Sequence, residues 1–559
     1  MKTRFSQWLI VLVLACLTLT DPFAAAQVQR RAPTANPKAP KLVLLIVIDQ
    51  FRADYLTRFN HLFGARGFKR LQARSAYFTN ANYPYANTLT AVGHTTIVSG
   101  SIPAIHGVIG NYWYDREIDR LRSAVSDRQV QGVGTQTAAS PAQLLSTTLG
   151  DQLRLSNNFQ SKSIGISLKD RSAVITAGRR GSAGYWLDIN NGNMVTSSHF
   201  LEKLPDWVIR FNEQRLADQY FQRRWERKLP EIAYSISDRD DASYEDPWDG
   251  NTASFPHLIN GNHDTISPAY YEQFKGTPFA NDFLAQFSLT AVEQEQLGRD
   301  EYTDLLAISF SAPDLAGHKF GPYSQEIEDI IVRLDETLAQ FLDALDRRVG
   351  LDNMLIALTA DHGVAPIPGY AKMHKMGGMR IIGSELRERV EAALDARYGE
   401  GNYILALINH QFYLNEKLLT EKGINITQAE ELAGHEALKT AGIATYFTRT
   451  QLLAGQLPNT EIARRVMTGF HAQRSGNVFL LVEPFVLIAE DKDELAGTAH
   501  GTPYHYDTHV PIMISGPGIR PGVYHAPCSP TDIAPTLATL LNIEPPSGSV
   551  GRVLSEALQ

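Results

Sequence analysis

Hydrophobic residues in this chain come in short unbroken runs, and polar or charged side chains follow each run. The runs stand at residues 41–49, 163–168, 305–310, 354–359, 478–482 and 510–515. Continuous rather than alternating apolarity predicts strands that are covered on both faces, as in a parallel sheet. Amphipathic patterns at 327–347 and 384–397 predict helices between the strands. This alternation predicts an α/β fold, a three-layer sandwich with a mostly parallel central sheet.

Two long stretches interrupt the alternation of strands and helices. Residues near 200–300 are rich in Tyr, Trp, Asp and Arg, and residues near 370–475 contain helical segments after a glycine-rich start. We interpret both as insertions into a single domain that spans residues 41–559. Residues 27–40, which contain several prolines and small residues, are expected to form a flexible lead-in.

Residues 1–26 have the pattern of a secretory signal peptide. Lys2 and Arg4 precede an apolar run at 8–19 that is too short to span a membrane, and three alanines at 24–26 fit the cleavage rule. The alternative is a lipoprotein signal with Cys16 as the lipidated residue, although the apolar run continues beyond it. We therefore expect a periplasmic or secreted protein with no transmembrane segment after signal removal.

The overall composition excludes several classes of protein. The chain has 559 residues, of which 43% are hydrophobic and 20% charged, with a net charge of −8 and two cysteines. Disordered chains need low hydrophobicity and high net charge, and disulfide scaffolds need many cysteines. A mildly acidic chain also lacks the basic surface of nucleic-acid binders, so we expect no nucleic-acid partner.

Acidic and histidine residues follow several of the predicted strands. The candidate metal ligands are Asp49, Asp314, His318, Asp361, His362 and His500. Each alone is more often a helix cap or a hydrogen-bonded residue, but all lie where parallel strands gather ligand-binding side chains. Six Asp and His ligands suffice for two Zn²⁺ ions that keep positions open for a nucleophile and a substrate. His505 and His509 remain alternatives to His500.

The segment around Thr90 contains the candidate nucleophile. Pro84 and an Asn/Thr cluster predict a loop that leads into a helix beginning at or near Thr90, where free N–H groups favour an anion. A zinc-bound Thr90 alkoxide would be a nucleophile, which makes Thr90 both a catalytic candidate and a metal ligand. Thr90 as a simple N-cap, or Thr88 as the reactive residue, are the alternatives.

Three further side chains are candidates for binding an anionic tetrahedral group. Asn111 follows a turn and could donate to a phosphoryl oxygen. Lys169 and Arg171 follow a predicted strand, and in extended backbone they can point the same way. A point charge beside a planar guanidinium suits such an anion. The alternative for this pair is two solvated surface cations.

Together these segments resemble the alkaline phosphatase superfamily over residues 41–545. Residues 90–94 are similar to the nucleophile segment of nucleotide pyrophosphatase/phosphodiesterases, with Thr90 at the nucleophile position. Lys169 and Arg171 resemble the pair that marks PafA-type alkaline phosphatases. The other matching positions are Asp49, Asn111, Asp314, His318, Asp361, His362 and His500. The resemblance implies an alkaline phosphatase-like fold and a two-zinc phosphate monoesterase with a phosphothreonine intermediate.

The same resemblance implies how the ligands divide. One zinc would be held by Asp49, Asp361 and His362 and would bind Thr90. The other would be held by a second set of three residues, Asp314, His318 and His500. Small phosphate esters are the expected substrates, and we expect a monomer.

Several alternatives and departures accompany this assignment. A phosphodiesterase, a nucleotide pyrophosphatase or a phosphonate hydrolase on the same fold is the main alternative, and an exported zinc-binding or adhesion protein without turnover is a more distant one. Neither the serine nucleophile nor the third, magnesium site of the classical alkaline phosphatases has a counterpart in the sequence. Cys528 stands in a partial sulfatase motif that ends in Asp532 instead of Arg, so we expect a structural cysteine there.

Overall fold

The computed structural model describes residues 39–248, 250, 252–489, 491 and 496–559. The expected signal peptide, Cys16 and the lead-in as far as residue 38 lie outside the described residues. Within the described part of the chain, no helix combines the length and the apolarity that a bilayer crossing requires.

A ten-stranded sheet forms the centre of the described chain. Its strands, numbered in chain order, are β1 (Leu42–Ile48), β2 (Ala76–Asn82), β3 (Gly132–Val133), β4 (Ser163–Ser167), β5 (Ala183–Asp188), β6 (Asn193–Ser197), β7 (Asp304–Phe310), β8 (Met354–Thr359), β9 (His509–Ser515) and β10 (Gly522–Tyr524). The order across the sheet is β10-β2-β9-β8-β1-β7-β4-β5-β6-β3. Strands β8, β1, β7, β4 and β5 are parallel, whereas β9 runs against β8 and β6 runs against β5. The prediction of an α/β fold with a mostly parallel sheet is confirmed.

Helices cover this sheet in two groups. The helices used below are α1 (Thr90–Ser99), α2 (Asp170–Ala177), α3 (Pro278–Gln294), α4 (Ala312–Phe320), α5 (Gln325–Arg348) and α6 (Ile533–Leu541). Helix α1 contacts α2 and α6, whereas α5 contacts α3 and α4. Every side chain of β1 is buried, and strand side chains alternate between faces, so both faces of the sheet are covered. Continuous apolar runs are the sequence signature of this arrangement.

Shorter helices fill the connections of the main core. They are Tyr55–Arg58, Phe68–Arg74, Pro103–His106, Leu149–Ser156, Asp206–Glu213, Pro268–Lys275, Pro368–Met373 and His505–Thr508. The stretch near 200–300 also holds a two-stranded sheet, Arg223–Trp225 with His257–Ile259. At the end of this stretch, α3 packs against α5 and contributes Phe283 and Phe287 to the main hydrophobic core.

Residues near 370–475 build a second sheet with its own apolar cluster. The strands Ile404–Ile408, Gln411–Leu414, Ile443–Thr448 and Val478–Val482 form an antiparallel sheet. Helices Gly383–Tyr398 and Ile426–Leu438 contribute to the same cluster. The remaining helices here are Glu416–Glu421, Arg449–Ala454 and Glu461–Gly469. Residues 478–482 are thus a strand, as predicted, but they belong to this sheet and not to the central one. An apolar run predicts burial and cannot tell which sheet supplies the neighbours.

Gly93 sets the distance between α1 and the end of β8. A Cβ at this position would collide with the backbone carbonyl of Asp361. Because glycine has none, the helix lies directly on the loop that follows β8. The imidazole of His94, the next residue along the helix, then lies 3.3 Å from the Asp361 carboxylate.

We expect Gly93→Ala to lower the free energy of unfolding by about 1–3 kcal/mol, because the added methyl group forces α1 away from Asp361. Denaturant unfolding followed by circular dichroism measures this change. Gly276→Ala is the matched control, because a Cβ at Gly276 meets its nearest neighbours at 3.5 Å. Equal stability of the two variants would contradict the packing argument.

Candidate metal centre and active site

The carboxyl ends of four adjacent parallel strands bring the main candidate residues together. Asp49 directly follows β1, Asp361 lies two residues after β8, and Asp314 lies in α4 just after β7. Lys169 precedes α2, two residues after β4. Since these strands are neighbours in the sheet and point the same way, their ends meet at one edge. All four side chains are buried there.

Asp49, Asp361 and His362 converge beside Thr90. The Nε2 atom of His362 lies 3.5 Å from Oδ1 of Asp49 and 3.4 Å from Oδ2 of Asp361. It also lies 3.4 Å from the Thr90 hydroxyl. The three residues predicted to hold the first metal ion are therefore adjacent to the predicted nucleophile.

Asp314, His318 and His500 form a second group. Oδ1 of Asp314 lies 3.2 Å from Nε2 of His318 and 3.6 Å from Nε2 of His500. The ligand atoms of this group lie within 4.8 Å of one another, and the same holds for Asp49, Asp314 and His362. The two groups therefore adjoin, with Asp314 close to both.

Each of the three histidine rings contacts a backbone carbonyl through Nδ1, which fixes the orientation of that ring. The accepting carbonyls, at 2.7 to 2.9 Å from Nδ1, are those of Thr498 for His318, Gly363 for His362 and Thr88 for His500. An Nδ1–H donor leaves Nε2 as the atom with a free lone pair. This is the usual outer support of metal-binding histidines, which donate their second nitrogen to a carbonyl or carboxylate.

The carboxylates of Asp49, Asp314 and Asp361 form a strongly negative, buried cluster. Lys169 donates to Asp49 at 2.6 Å and to Asp314 at 2.5 Å, which leaves more negative than positive charge. Burial raises the pKa of Asp49 well above its usual range, and the charges of Asp314 and Asp361 raise it further. Oδ1 of Asp49 and Oδ2 of Asp361 accept no hydrogen bond from the described residues. Buried oxygens of this kind, opposite free imidazole nitrogens, fit divalent cations.

The pKa shifts of His362, His500 and Asp314 agree with this interpretation. Burial lowers the pKa of His362 and His500, so both rings are neutral and able to bind a metal near neutral pH. Burial by itself would raise the pKa of Asp314, but the Lys169 ammonium and the His318 imidazole hold it well below its usual range. Asp314 is therefore an anionic ligand candidate.

Thr90 is the first residue of α1, and Leu89 occupies the N-cap position without a side-chain cap. Thr90 is therefore not the N-cap that the sequence left open as an alternative. Its buried hydroxyl lies at the helix N-terminus, where the helix dipole favours an anion. Thr88, the other alternative, donates its hydroxyl to the carbonyl of Thr502 at 3.0 Å.

Asn111 contacts the same helix end. Its side-chain oxygen accepts the backbone N–H of Ala91 at 2.8 Å. With the oxygen used in this way, the NH2 half of the amide is the one that could donate to a phosphoryl oxygen. Arg171 lies in the first turn of α2, with about a quarter of its side chain exposed (23%) and NH1 3.7 Å from Asp170. Lys169 and Arg171 are therefore not two solvated surface cations, since Lys169 is buried against two carboxylates.

Two residues that the sequence analysis did not single out support the site. Gln50 donates its side-chain amide to Asp314 at 2.7 Å and its backbone N–H to Asp361 at 3.1 Å. The ring of His94 contacts the Thr90 carbonyl at 2.8 Å and the Ser309 hydroxyl at 2.8 Å. Only their positions in the sequence could have indicated these roles. Gln50 follows Asp49, and His94 lies one helical turn after Thr90.

The competing candidates lie in other surroundings. The rings of His505 and His509 contact each other with centroids 4.3 Å apart and planes tilted by 36°, and His509 contacts the Thr79 carbonyl. The structure thus groups His500, and neither of these two, with Asp314 and His318. Cys528 pairs with Ala81 on strand β2, and burial raises the pKa of its thiol to about 12. A thiol with that pKa is unreactive, as expected for a structural cysteine.

Comparison with known proteins agrees with these observations. The model of the family described as type I phosphodiesterase / nucleotide pyrophosphatase matches residues 43–503. The chain is 36% identical to alkaline phosphatase PafA of Elizabethkingia meningoseptica, covering 93% of this chain and 94% of that protein. It is 35% identical to alkaline phosphatase PhoV of Synechococcus elongatus, covering 98% and 99%.

Comparison with solved structures agrees with these sequence similarities. The crystal structure of wild-type PafA superposes with a TM-score of 0.87 at 35% identity, covering 93% of this chain and 99% of that one. Murine ectonucleotide pyrophosphatase / phosphodiesterase 5 superposes with a TM-score of 0.53 at 14% identity, covering 92% of this chain and 100% of that one, which supports the fold alone. The chain is therefore an enzyme of the type I phosphodiesterase / nucleotide pyrophosphatase family and belongs to its PafA-like alkaline phosphatases.

Proposed function

We propose that this enzyme is a two-zinc phosphate monoesterase that works through a phosphothreonine at Thr90. The observation that carries the proposal is the juxtaposition of the Thr90 hydroxyl with two adjoining Asp/His groups and a buried lysine. Similarity to alkaline phosphatases over nearly the whole chain supports the same activity.

The two ligand groups would hold one ion each. Asp49, Asp361 and His362 would hold the ion next to Thr90. Asp314, His318 and His500 would hold the other. Mixed carboxylate and imidazole donors favour zinc among the common divalent ions. When bound, such ions lower the pKa of a coordinated hydroxyl and stabilise charge on the departing oxygen.

The side chains of the protein have distinct tasks in this proposal. The Thr90 oxygen forms a bond to phosphorus while the bond between phosphorus and the ester oxygen breaks, and the alcohol departs. Water then cleaves the phosphothreonine, which restores the Thr90 hydroxyl and releases phosphate. Asn111, Lys169 and Arg171 orient the phosphoryl group and neutralise its charge, which is most of what phosphoryl transfer requires.

The same three residues favour a monoester over a diester. A phosphate monoester carries two negative charges in alkaline solution, whereas a diester carries one. The ammonium of Lys169 and the guanidinium of Arg171 match the larger charge. We therefore rank the alternative activities below monoester hydrolysis. These alternatives are phosphodiesterase, nucleotide pyrophosphatase and phosphonate hydrolase activity.

The cellular setting is part of the proposal. The pattern of residues 1–26 favours export to the periplasm or the medium, and small phosphate esters are the proposed substrates. We propose a monomer.

Thr90→Ala should lower turnover of p-nitrophenyl phosphate about a thousandfold or more, because it removes the nucleophile. Mass spectrometry of acid-quenched wild-type enzyme should find phosphate on Thr90. Thr88→Ala is the matched control and should retain most activity, since Thr88 bonds to a backbone carbonyl. Full activity of Thr90→Ala with metal still bound would refute the nucleophile assignment.

EDTA should abolish activity, and Zn²⁺ should restore it. Elemental analysis should find about two zinc ions per wild-type chain and about one in His500→Ala, which loses a ligand of one ion only. The control His505→Ala should keep both ions, because His505 contacts the ring of His509 and belongs to neither ligand group. An unchanged zinc content in His500→Ala would contradict the ligand assignment.

Arg171→Ala should reduce kcat/KM for p-nitrophenyl phosphate more strongly than for bis-p-nitrophenyl phosphate, by about tenfold or more in the ratio, because the monoester carries the extra charge. Arg180→Ala, an exposed arginine just beyond the same helix, is the control and should leave the ratio unchanged. A wild-type preference for the diester would reverse the order of the two proposed activities.

A further inference from the structure

A large cleft opens directly beside the second ligand group. It has a volume of about 1030 Å³, and its lining includes Leu89, His500 and Gly501. Leu89 immediately precedes Thr90. His500 belongs to the group that would hold the second ion, and in the proposed function the departing oxygen would face this ion, because the first ion would bind Thr90. A phosphoryl group fills only a small part of such a volume, since whole ligands occupy sites of about 300–1000 Å³.

The walls of the cleft come from a hairpin that follows Asn111 and from the second sheet, called the accessory sheet below, which consists of Ile404–Ile408, Gln411–Leu414, Ile443–Thr448 and Val478–Val482. Strand Ile404–Ile408 is an edge strand of the accessory sheet and lines the cleft. Helix Gly383–Tyr398 and the hairpin Tyr112–Asp115 with Arg120–Ser123 complete it. Asn409, in the turn between strands Ile404–Ile408 and Gln411–Leu414, donates to the Tyr112 carbonyl at 2.7 Å. The accessory sheet is thus attached to the segment that carries Asn111.

The lining is mostly uncharged, and most of its charged residues already have backbone partners. Glu391 accepts the N–H groups of Tyr403 and Ile404 at 2.5 and 2.8 Å. Arg387 donates to the Ile404 carbonyl at 2.8 Å, and Asp395 accepts the N–H of Gly401 at 2.9 Å.

Apolar side chains line the cleft together with these charges. They include Leu121, Leu405, Leu407 and Ile488. Leu121 is 55% exposed, so its side chain is accessible to an apolar group in the cleft.

We propose that this cleft binds the organic group of the substrate and that it favours phosphate monoesters with a long, uncharged, apolar alcohol. The proposal rests on the monoesterase function proposed above. The phosphoryl group would lie at Thr90, the ester oxygen would point towards His500, and the alkyl chain would extend along Leu121 and the edge strand. The accessory sheet and the hairpin would then determine substrate preference, whereas other groups would carry out the reaction.

Ethyl, butyl and octyl phosphate test this proposal, because their alcohols are almost equally acidic and differ in apolar length. For the wild-type enzyme, kcat/KM should rise roughly tenfold or more from ethyl to octyl phosphate, since each buried methylene group contributes to binding. Ala392→Trp places a bulky ring on the cleft wall at an exposed helix position. This variant should hydrolyse ethyl phosphate normally and should lose the dependence on chain length.

Ala396→Trp is the matched control, because Ala396 is exposed on the same helix and does not line the cleft. It should behave like the wild type. Hydrolysis of ethyl phosphate with no effect of chain length in the wild type, or with the full effect in Ala392→Trp, would overturn the cleft proposal alone.

Failure of ethyl phosphate hydrolysis would instead reject the proposed function. In that case, calorimetric Kd values for ethylphosphonate and octylphosphonate still test the cleft. The cleft proposal requires tighter binding of octylphosphonate in the wild type and equal binding of the two in Ala392→Trp. Equal binding in the wild type would reject it.

Discussion

Electrostatic repulsion among three buried carboxylates is the constraint on which the rest of this structure depends. Asp49, Asp314 and Asp361 lie at the carboxyl ends of adjacent parallel strands, and Lys169 contacts only two of them. Isolated buried charges cost several kcal/mol each unless cations and hydrogen bonds compensate them. The imidazole nitrogens that face these oxygens, and the oxygens that accept no bond, are arranged for divalent cations. The strand order, the orientation of the histidine rings and the placement of the helices together determine the surroundings of these three carboxylates.

The second feature is the close contact of α1 with the end of β8. Gly93 permits it, and His94 links the Thr90 carbonyl, the Asp361 carboxylate and Ser309 on β7. The hydroxyl of Thr90 is thereby held beside one ligand group in a position that side-chain packing, and not a flexible loop, determines. Rigid support of this kind is what a preorganised site requires.

The sequence predicted the central elements well because their signal is local. Continuous apolar runs identified β1, β4, β7, β8 and β9 to within two residues at either end, and an adjacent polar residue marked the end of several strands. Residues 478–482 were predicted as a strand but lie in another sheet, and β2, β3, β5, β6 and β10 were not predicted. β6 and much of β2 lack a continuous apolar run, and what distinguishes one sheet from another is long-range pairing. Gln50 and the role of His94 likewise depend on contacts between distant segments.

The sequence by itself determined the fold class and the chemical types of the site residues. Both follow from composition within short windows, namely apolar runs and the Asp, His, Thr and Lys residues that follow them. Only the tertiary structure decided which histidine joins Asp314, that Thr90 begins its helix without acting as the cap, and that a large cleft adjoins the site. These features depend on strand order and on the packing of α1, the accessory sheet and the 112–123 hairpin, which bring together residues hundreds of positions apart.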